Sequence, residues 1–178
     1  MAVLRGGDKL ADVLKTIGAK ASSAKYVQVG FLENSTYPDG TSVPMVAAIQ
    51  EFGAPKVGIP PRPFFRDMIA AKSKEWPKAI RDLLKDNDFD AAKTLGQVGE
   101  GVKGQLQQSI VDLTTPPLSK VTLMLRKMFG NNPDAIRGRD VAEARERVAA
   151  GEDTDGVSIK PLVWTGHLEN SVDYQVKT

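Results

Sequence analysis

Four prolines within nine residues, Pro55, Pro60, Pro61 and Pro63, separate two segments of helical pattern and constrain this chain more than any other feature. Each fixes its own φ and removes a backbone N–H, so the stretch can neither join a central strand nor continue a helix. It also has little freedom left to lose on docking. Upstream, Pro44 suits the first position of a short helix running through Val46, Ile49 and Gln50 to Glu51 and Phe52, and Gly53 is suited to ending it. Downstream of Arg62, the residues Pro63, Phe64, Phe65, Arg66, Met68 and Ile69 open a new helix with a heavy apolar load. Two readings stand for the loop: an internal connection with both phenylalanines in the core, or a stiff docking surface of aromatic and arginine side chains.

The rest of the chain reads as helices bracketed by two short strands. Leu10, Val13, Leu14 and Ile17 share one face of a helix over Asp8–Lys20, with Asp8 as its cap and Gly18 at its end. Val27, Val29 and Phe31 alternate with Gln28 and Gly30, the pattern of a half-buried strand. Tyr37-Pro38-Asp39-Gly40 is a tight turn. The helix opened at Pro63 reaches Lys85, and Pro77 kinks or breaks it near Lys74–Trp76. Asp90 caps a helix through Leu113 whose seam is Leu95, Val98, Val102, Leu106 and Ile110. The glycines at 96, 99, 101 and 104 in that helix allow either a close neighbour or bending. A short helix with Ser119 as cap runs to Phe129. Residues 130–156 then read as an excursion, or as an arm that packs only when a partner is present, since its one helix, Asp140–Ala150, has a thin apolar face. Val172, Tyr174 and Val176 alternate as a last strand, able to pair with Val27–Phe31.

Composition excludes more chemistry than it suggests. Without cysteine there is no disulfide, thiolate metal site or cysteine nucleophile. His167 is the single histidine, with neither a second metal-ligating imidazole nor a nucleophile motif to serve. The glycines of 96–104 lack the lysine ending of a phosphate loop, and Asp86, Asp88 and Asp90 lack the downstream ligands of a calcium loop. No catalytic residue, cofactor or metal is therefore expected. Residues Met1–Gly7 carry no apolar run of signal-peptide length, and no segment is apolar enough for a membrane span, so a cytoplasmic place of assembly is expected. Arg66, Lys72, Lys74, Lys78, Arg81 and Lys85 leave open a nucleic-acid-binding module on the basic helix 66–85. The balance of 24 basic against 22 acidic residues argues for a solvated helix face instead.

The ordered blocks Val27–Phe31, the Tyr37–Gly40 turn, Ala48–Arg66, Pro116–Leu125 and Lys160–Val172 together resemble the tail-completion, or neck and tail-component, proteins of tailed bacteriophages. The most specific parts are Glu51-Phe52-Gly53, Arg62-Pro63-Phe64 and Thr165-Gly166-x-Leu168. The 130–156 excursion is longer than that pattern has, and Trp164 stands where a smaller or acidic residue is commoner. The resemblance implies a single α+β domain over 1–178: a small, mainly antiparallel sheet of both terminal strands flanked by long helices, with 130–156 as an insertion or arm. It further implies a homo-oligomeric ring, typically a hexamer, at the head-proximal end of the tail. Its partners would be the tail tube protein and the head–tail connector proteins, with phage DNA passing nearby. Its place would be the virion head–tail junction, reached from the host cytoplasm, with no membrane involved. Glu51, Phe52, Pro60, Arg62, Pro63, Phe64, Phe65 and Arg66 are then the expected interface, since arginine and aromatics are enriched in interface cores. In the other reading Arg62 is a surface residue paired with Glu51 or Asp67.

Overall fold

A computed structural model describes residues 7–178, so the reading of the first six residues lies outside the described part. The described residues form an α+β fold of eight α-helices and one two-stranded antiparallel sheet. In chain order these are α1 (Gly7–Ala21), β1 (Tyr26–Phe31), α2 (Val43–Phe52), α3 (Phe64–Lys72), α4 (Trp76–Asp86), α5 (Ala91–Asp112), α6 (Lys120–Phe129), α7 (Gly138–Ala149), α8 (His167–Asn170) and β2 (Val172–Lys177). Short 3-10 turns lie at Pro55–Val57 and Pro133–Ala135. Among the described residues no helix is long and apolar enough to cross a membrane.

The chain divides into two compact units. The first takes the chain up to Gly30 together with Ala71–Gly104 and Asp173–Thr178; the second takes Phe31–Ala70 and Gln105–Val172.

In the first unit the two ends of the chain pair as their alternation predicts: β1 lies beside β2, and the Lys25 N–H donates to the Lys177 carbonyl at 2.9 Å. The break before Pro77 falls at Ser73–Glu75, where α3 has ended and α4 begins with proline in its first turn. Asp90 caps α5 as expected, its Oδ1 accepting from the Lys93 N–H at 2.9 Å. Behind that cap Asn87 is buried and donates to Gln97 Oε1 at 2.6 Å and Thr94 Oγ1 at 3.3 Å, so the turn from α4 to α5 keeps its buried amide satisfied. Two sequence expectations about α1 change. The helix is already formed at Gly7, so Asp8 lies inside it, and Gly18 is internal rather than terminal. Of the expected stripe, Leu10, Val13 and Leu14 are exposed and Ile17 is half-buried.

The glycines of α5 do not share one role. A Cβ on Gly99 would sit 2.4 Å from Cδ2 and 2.8 Å from Cγ of Tyr174, and 2.9 Å from a Val27 methyl. The sheet therefore packs directly on the helix backbone there. At Gly96, Gly101 and Gly104 a Cβ meets nothing within 4 Å. Gly99→Ala is expected to destabilise by about 1–3 kcal/mol through overpacking against the tyrosine ring. Gly101→Ala, in open space, is expected to stabilise by about 0.5–1 kcal/mol through helix propensity. Urea unfolding of the two variants beside the parent protein checks both signs.

The second unit carries the larger core. Val43, Phe64, Leu106, Ile110, Met124 and Val172 are at most 1 % exposed. Leu106 and Ile110 are the end of the predicted α5 seam; Leu95, Val98 and Val102 are only half-buried. Ser119 caps α6, accepting from the Thr122 N–H at 3.1 Å. The face of α7, expected to order against a partner, is covered within the chain: α7 packs on α6, and Ala144 is fully buried. Alanine leaves no bulk between the two helices, so a thin face suffices. Asp140 is nearly buried and accepts from the Arg137 N–H at 2.6 Å, closing the start of α7. The loop beyond α7 is tied back to α6, where Lys127 Nζ donates to the carboxylate and the carbonyl of Asp153 at 3.0 Å each.

Candidate functional site

The proline-rich loop lies in the second unit and is built on one glycine. Gly53 ends α2 with φ +76°, and its N–H donates to the Ile49 carbonyl at 2.8 Å. A Cβ there would be 2.8 Å from the Pro61 nitrogen and 2.9 Å from the Ile59 carbonyl oxygen, both backbone atoms, so position 53 has room only for glycine. Ala54 and Ile59 then exchange two backbone hydrogen bonds of 2.8 and 3.1 Å around the Pro55–Val57 turn, and the Arg62 N–H returns to the Gln50 carbonyl at 2.7 Å. The loop is thus a small closed tongue fastened at its base to α2.

Glu51 joins this tongue to α3. Its side chain is 6 % exposed. Oε2 accepts from the Phe65 N–H at 2.9 Å, and Oε1 accepts from the Arg66 N–H at 3.3 Å and Arg66 Nε at 2.7 Å. A carboxylate supplied by the preceding helix therefore caps α3, satisfying donors that helix geometry leaves unpaired. Arg66 also donates to the Glu51 carbonyl at 3.0 Å and lies over the Phe52 ring at 5.1 Å from its centroid. That pair faces solvent, with Phe52 65 % exposed.

The eight residues expected at the interface are thus divided by the fold. Glu51, Arg62 and Phe64 are buried within the subunit, Pro63 and Phe65 are half-buried, and Phe52, Pro60 and Arg66 are exposed. The partner of Glu51 is Arg66, whereas Arg62 donates to Gln50 Oε1 at 3.0 Å. Helical spacing did not separate these arginines; the closed tongue does, turning one inward and leaving the other on the first turn of α3.

Beside the tongue, and within the same unit, lies a cleft of ≈ 1030 Å³. Its walls come from the Tyr37–Thr41 turn, the tongue, the start of α6, and the segment from Pro161 to Leu168. The turn is held by Asp39, whose carboxylate accepts from the Thr41 N–H and hydroxyl at 2.9 Å each; these bonds hold its pKa below the ordinary carboxylate value. His167 stacks on Tyr37 with centroids 4.6 Å apart, and its Nε2 lies 3.0 Å from the Thr36 carbonyl. The histidine therefore braces the turn. Burial, and secondarily the charge of Asp39, raises the pKa of Tyr37.

Two arginines share the buried part of the cleft wall with Leu162 and Leu168. Arg62 is 6 % and Arg126 5 % exposed, and burial lowers the pKa of both guanidiniums. Arg126 donates to the Ser158 carbonyl at 2.6 Å and lies 5.2 Å from the Trp164 ring centroid, while Trp164 Nε1 donates to the Gly130 carbonyl at 2.6 Å. Nothing in the sequence pattern singled out Arg126. It sits among the apolar residues of α6, and only the fold brings it under Trp164. With donors, aromatic faces and prolines around a concave surface, the arrangement is suited to recognition.

Compared with known proteins, the chain matches no family model, no curated protein and no solved structure.

Proposed function

We propose that this chain is a structural subunit of a tailed-bacteriophage particle. It assembles into a homo-oligomeric ring at the head-proximal end of the tail, ends the tail tube there and joins it to the head connector. The observation that supports the reading is convergence. The Tyr37–Gly40 turn and the blocks around Ala48–Arg66, Pro116–Leu125 and Lys160–Val172, far apart in sequence, all contribute to one cleft and the tongue beside it.

The exposed side chains of α2 and of the tongue have the composition of a contact surface. Phe52 is 65 %, Val57 72 % and Met45 52 % exposed, and Arg66 covers one face of the Phe52 ring. Aromatic, methionine and arginine side chains on a stiff support are enriched where subunits meet. Ring contacts are heterologous, so this surface would meet a different face of the next subunit.

Light scattering on the purified protein tests the assembly. The expected result is a ring-sized particle that falls to the subunit mass in Phe52→Ser, with the subunit still folded by circular dichroism because the side chain is exposed. A ring that survives Phe52→Ser would move the contact elsewhere on the subunit. A parent protein that stays at subunit mass at all concentrations would contradict self-assembly of the free chain.

A further inference from the structure

The cleft contains an electrostatic imbalance that ring assembly does not require. Arg62 and Arg126 are both more than nine-tenths buried, and among the described residues neither has a carboxylate partner. A guanidinium has five N–H donors. Among the described residues each guanidinium has one protein acceptor, Gln50 Oε1 for Arg62 and the Ser158 carbonyl for Arg126, while the Nε of each is enclosed without any. Buried charges are normally paired, and an unpaired one is costly to hold out of water. The two carboxylates on the cleft wall, Asp39 and Asp134, are exposed, and Asp39 is engaged by Thr41.

We propose that this cleft binds an extended peptide of a partner protein, apolar or proline-rich except for an acidic side chain, whose carboxylate supplies the counter-charge that Arg62 and Arg126 lack. Three observations select that occupant. Two guanidiniums on the cleft wall without a carboxylate partner call for an anion, and a carboxylate is the anion that a protein segment supplies. The exposed Asp39 and Asp134 repel a chain of many negative charges, so nucleic acid and polyacidic segments are disfavoured, including this chain's own Glu152-Asp153-Thr154-Asp155 turn. The rest of the lining, with Trp164, Tyr37, Pro60, Pro117 and Pro161, has the aromatic and proline character of grooves that take extended peptides. The proposal is independent of the ring: a subunit that never oligomerised would carry the same cleft.

The test is a selection of random short peptides, blocked at both ends, on the full chain, followed by fluorescence polarisation with the best binder. Selected peptides are expected to share one Asp or Glu among apolar or proline positions. Replacing that residue by its amide is expected to weaken binding at least about tenfold, the loss of a charge-assisted hydrogen bond. Arg126→Lys, which keeps the charge but not the planar guanidinium held against Trp164 and the Ser158 carbonyl, is expected to weaken the parent peptide by a similar factor. Asp134→Asn, at an exposed position, is expected to tighten it severalfold, and decides the matter if Arg126→Lys does not fold. The proposal is overturned if no peptide is enriched, if the amide peptide binds equally well, or if Asp134→Asn leaves affinity unchanged. It is also overturned if inorganic phosphate or a short single-stranded DNA displaces the peptide at equal concentration, which would make the cleft a phosphate site. Capture of this chain alone would place the cleft in the ring contact and overturn the proposal as well.

Discussion

Phe64→Ala is expected to destabilise the second unit by about 3–5 kcal/mol, the range for deleting a fully buried phenylalanine. The ring is 1 % exposed, sits edge-on to Phe31 at 6.2 Å and to Phe65 at 6.4 Å, and leaves a cavity when removed. Its own backbone is fixed by Ser109, whose hydroxyl donates to the Phe64 carbonyl at 2.7 Å, so the surroundings have little scope to collapse inward. Since a domain is stable by only about 5–15 kcal/mol, the loss is a large fraction of the whole. Phe65→Ala, at the half-buried neighbour, is expected to cost clearly less. Denaturant midpoints of the two variants, with the slope checked for constancy, separate them. Equal losses would contradict the burial pattern that assigns Phe64 to the core.

The second large effect is expected at Glu51. Glu51→Ala removes the acceptor of two backbone N–H groups at the start of α3 and the partner of Arg66. Loss of a helix cap together with a charge-assisted bond to a nearly buried carboxylate is expected to cost about 2–4 kcal/mol. Glu51→Gln is expected to recover only part of it. The donors reach both carboxylate oxygens, whereas an amide presents one acceptor and points its NH2 at the other donor. Thermal unfolding ranks the three proteins. Assembly should respond too, because Arg66 would lose the contact that holds it over Phe52. A Gln variant as stable as the parent would show that the charge at position 51 does not matter.

What the sequence revealed followed from local rules. Ser119 and Asp90 announce helix starts, Pro77 forces a new one, and the alternation at both ends of the chain specifies strands that pair. Gly53 before a proline cluster gives the end of α2 and the stiffness of the tongue. Burial was harder to read because it depends on which neighbour arrives. The stripe of α1 is as apolar as a core helix yet lies open, while the thinner stripe of α7 is covered by α6. Among the α5 glycines, only the structure distinguishes the one lying under Tyr174 from three with open space. The candidate site divides in the same way. The tongue is contiguous and could be found, whereas the cleft joins Arg62 to Arg126 and Trp164 across segments that no periodicity links. The two arginines flanking Pro63-Phe64-Phe65 have the same residue type in the same motif but opposite environments, one enclosed beside Gln50 and the other exposed on Glu51.

The proposed placement at the head–tail junction is tested most directly by disrupting this coding sequence in the genome that carries it and imaging the particles by electron microscopy. Filled heads and separate, unjoined tails of unregulated length are expected, with whole virions restored when the intact chain is supplied. Normal yields of joined, tailed particles without the chain would contradict it.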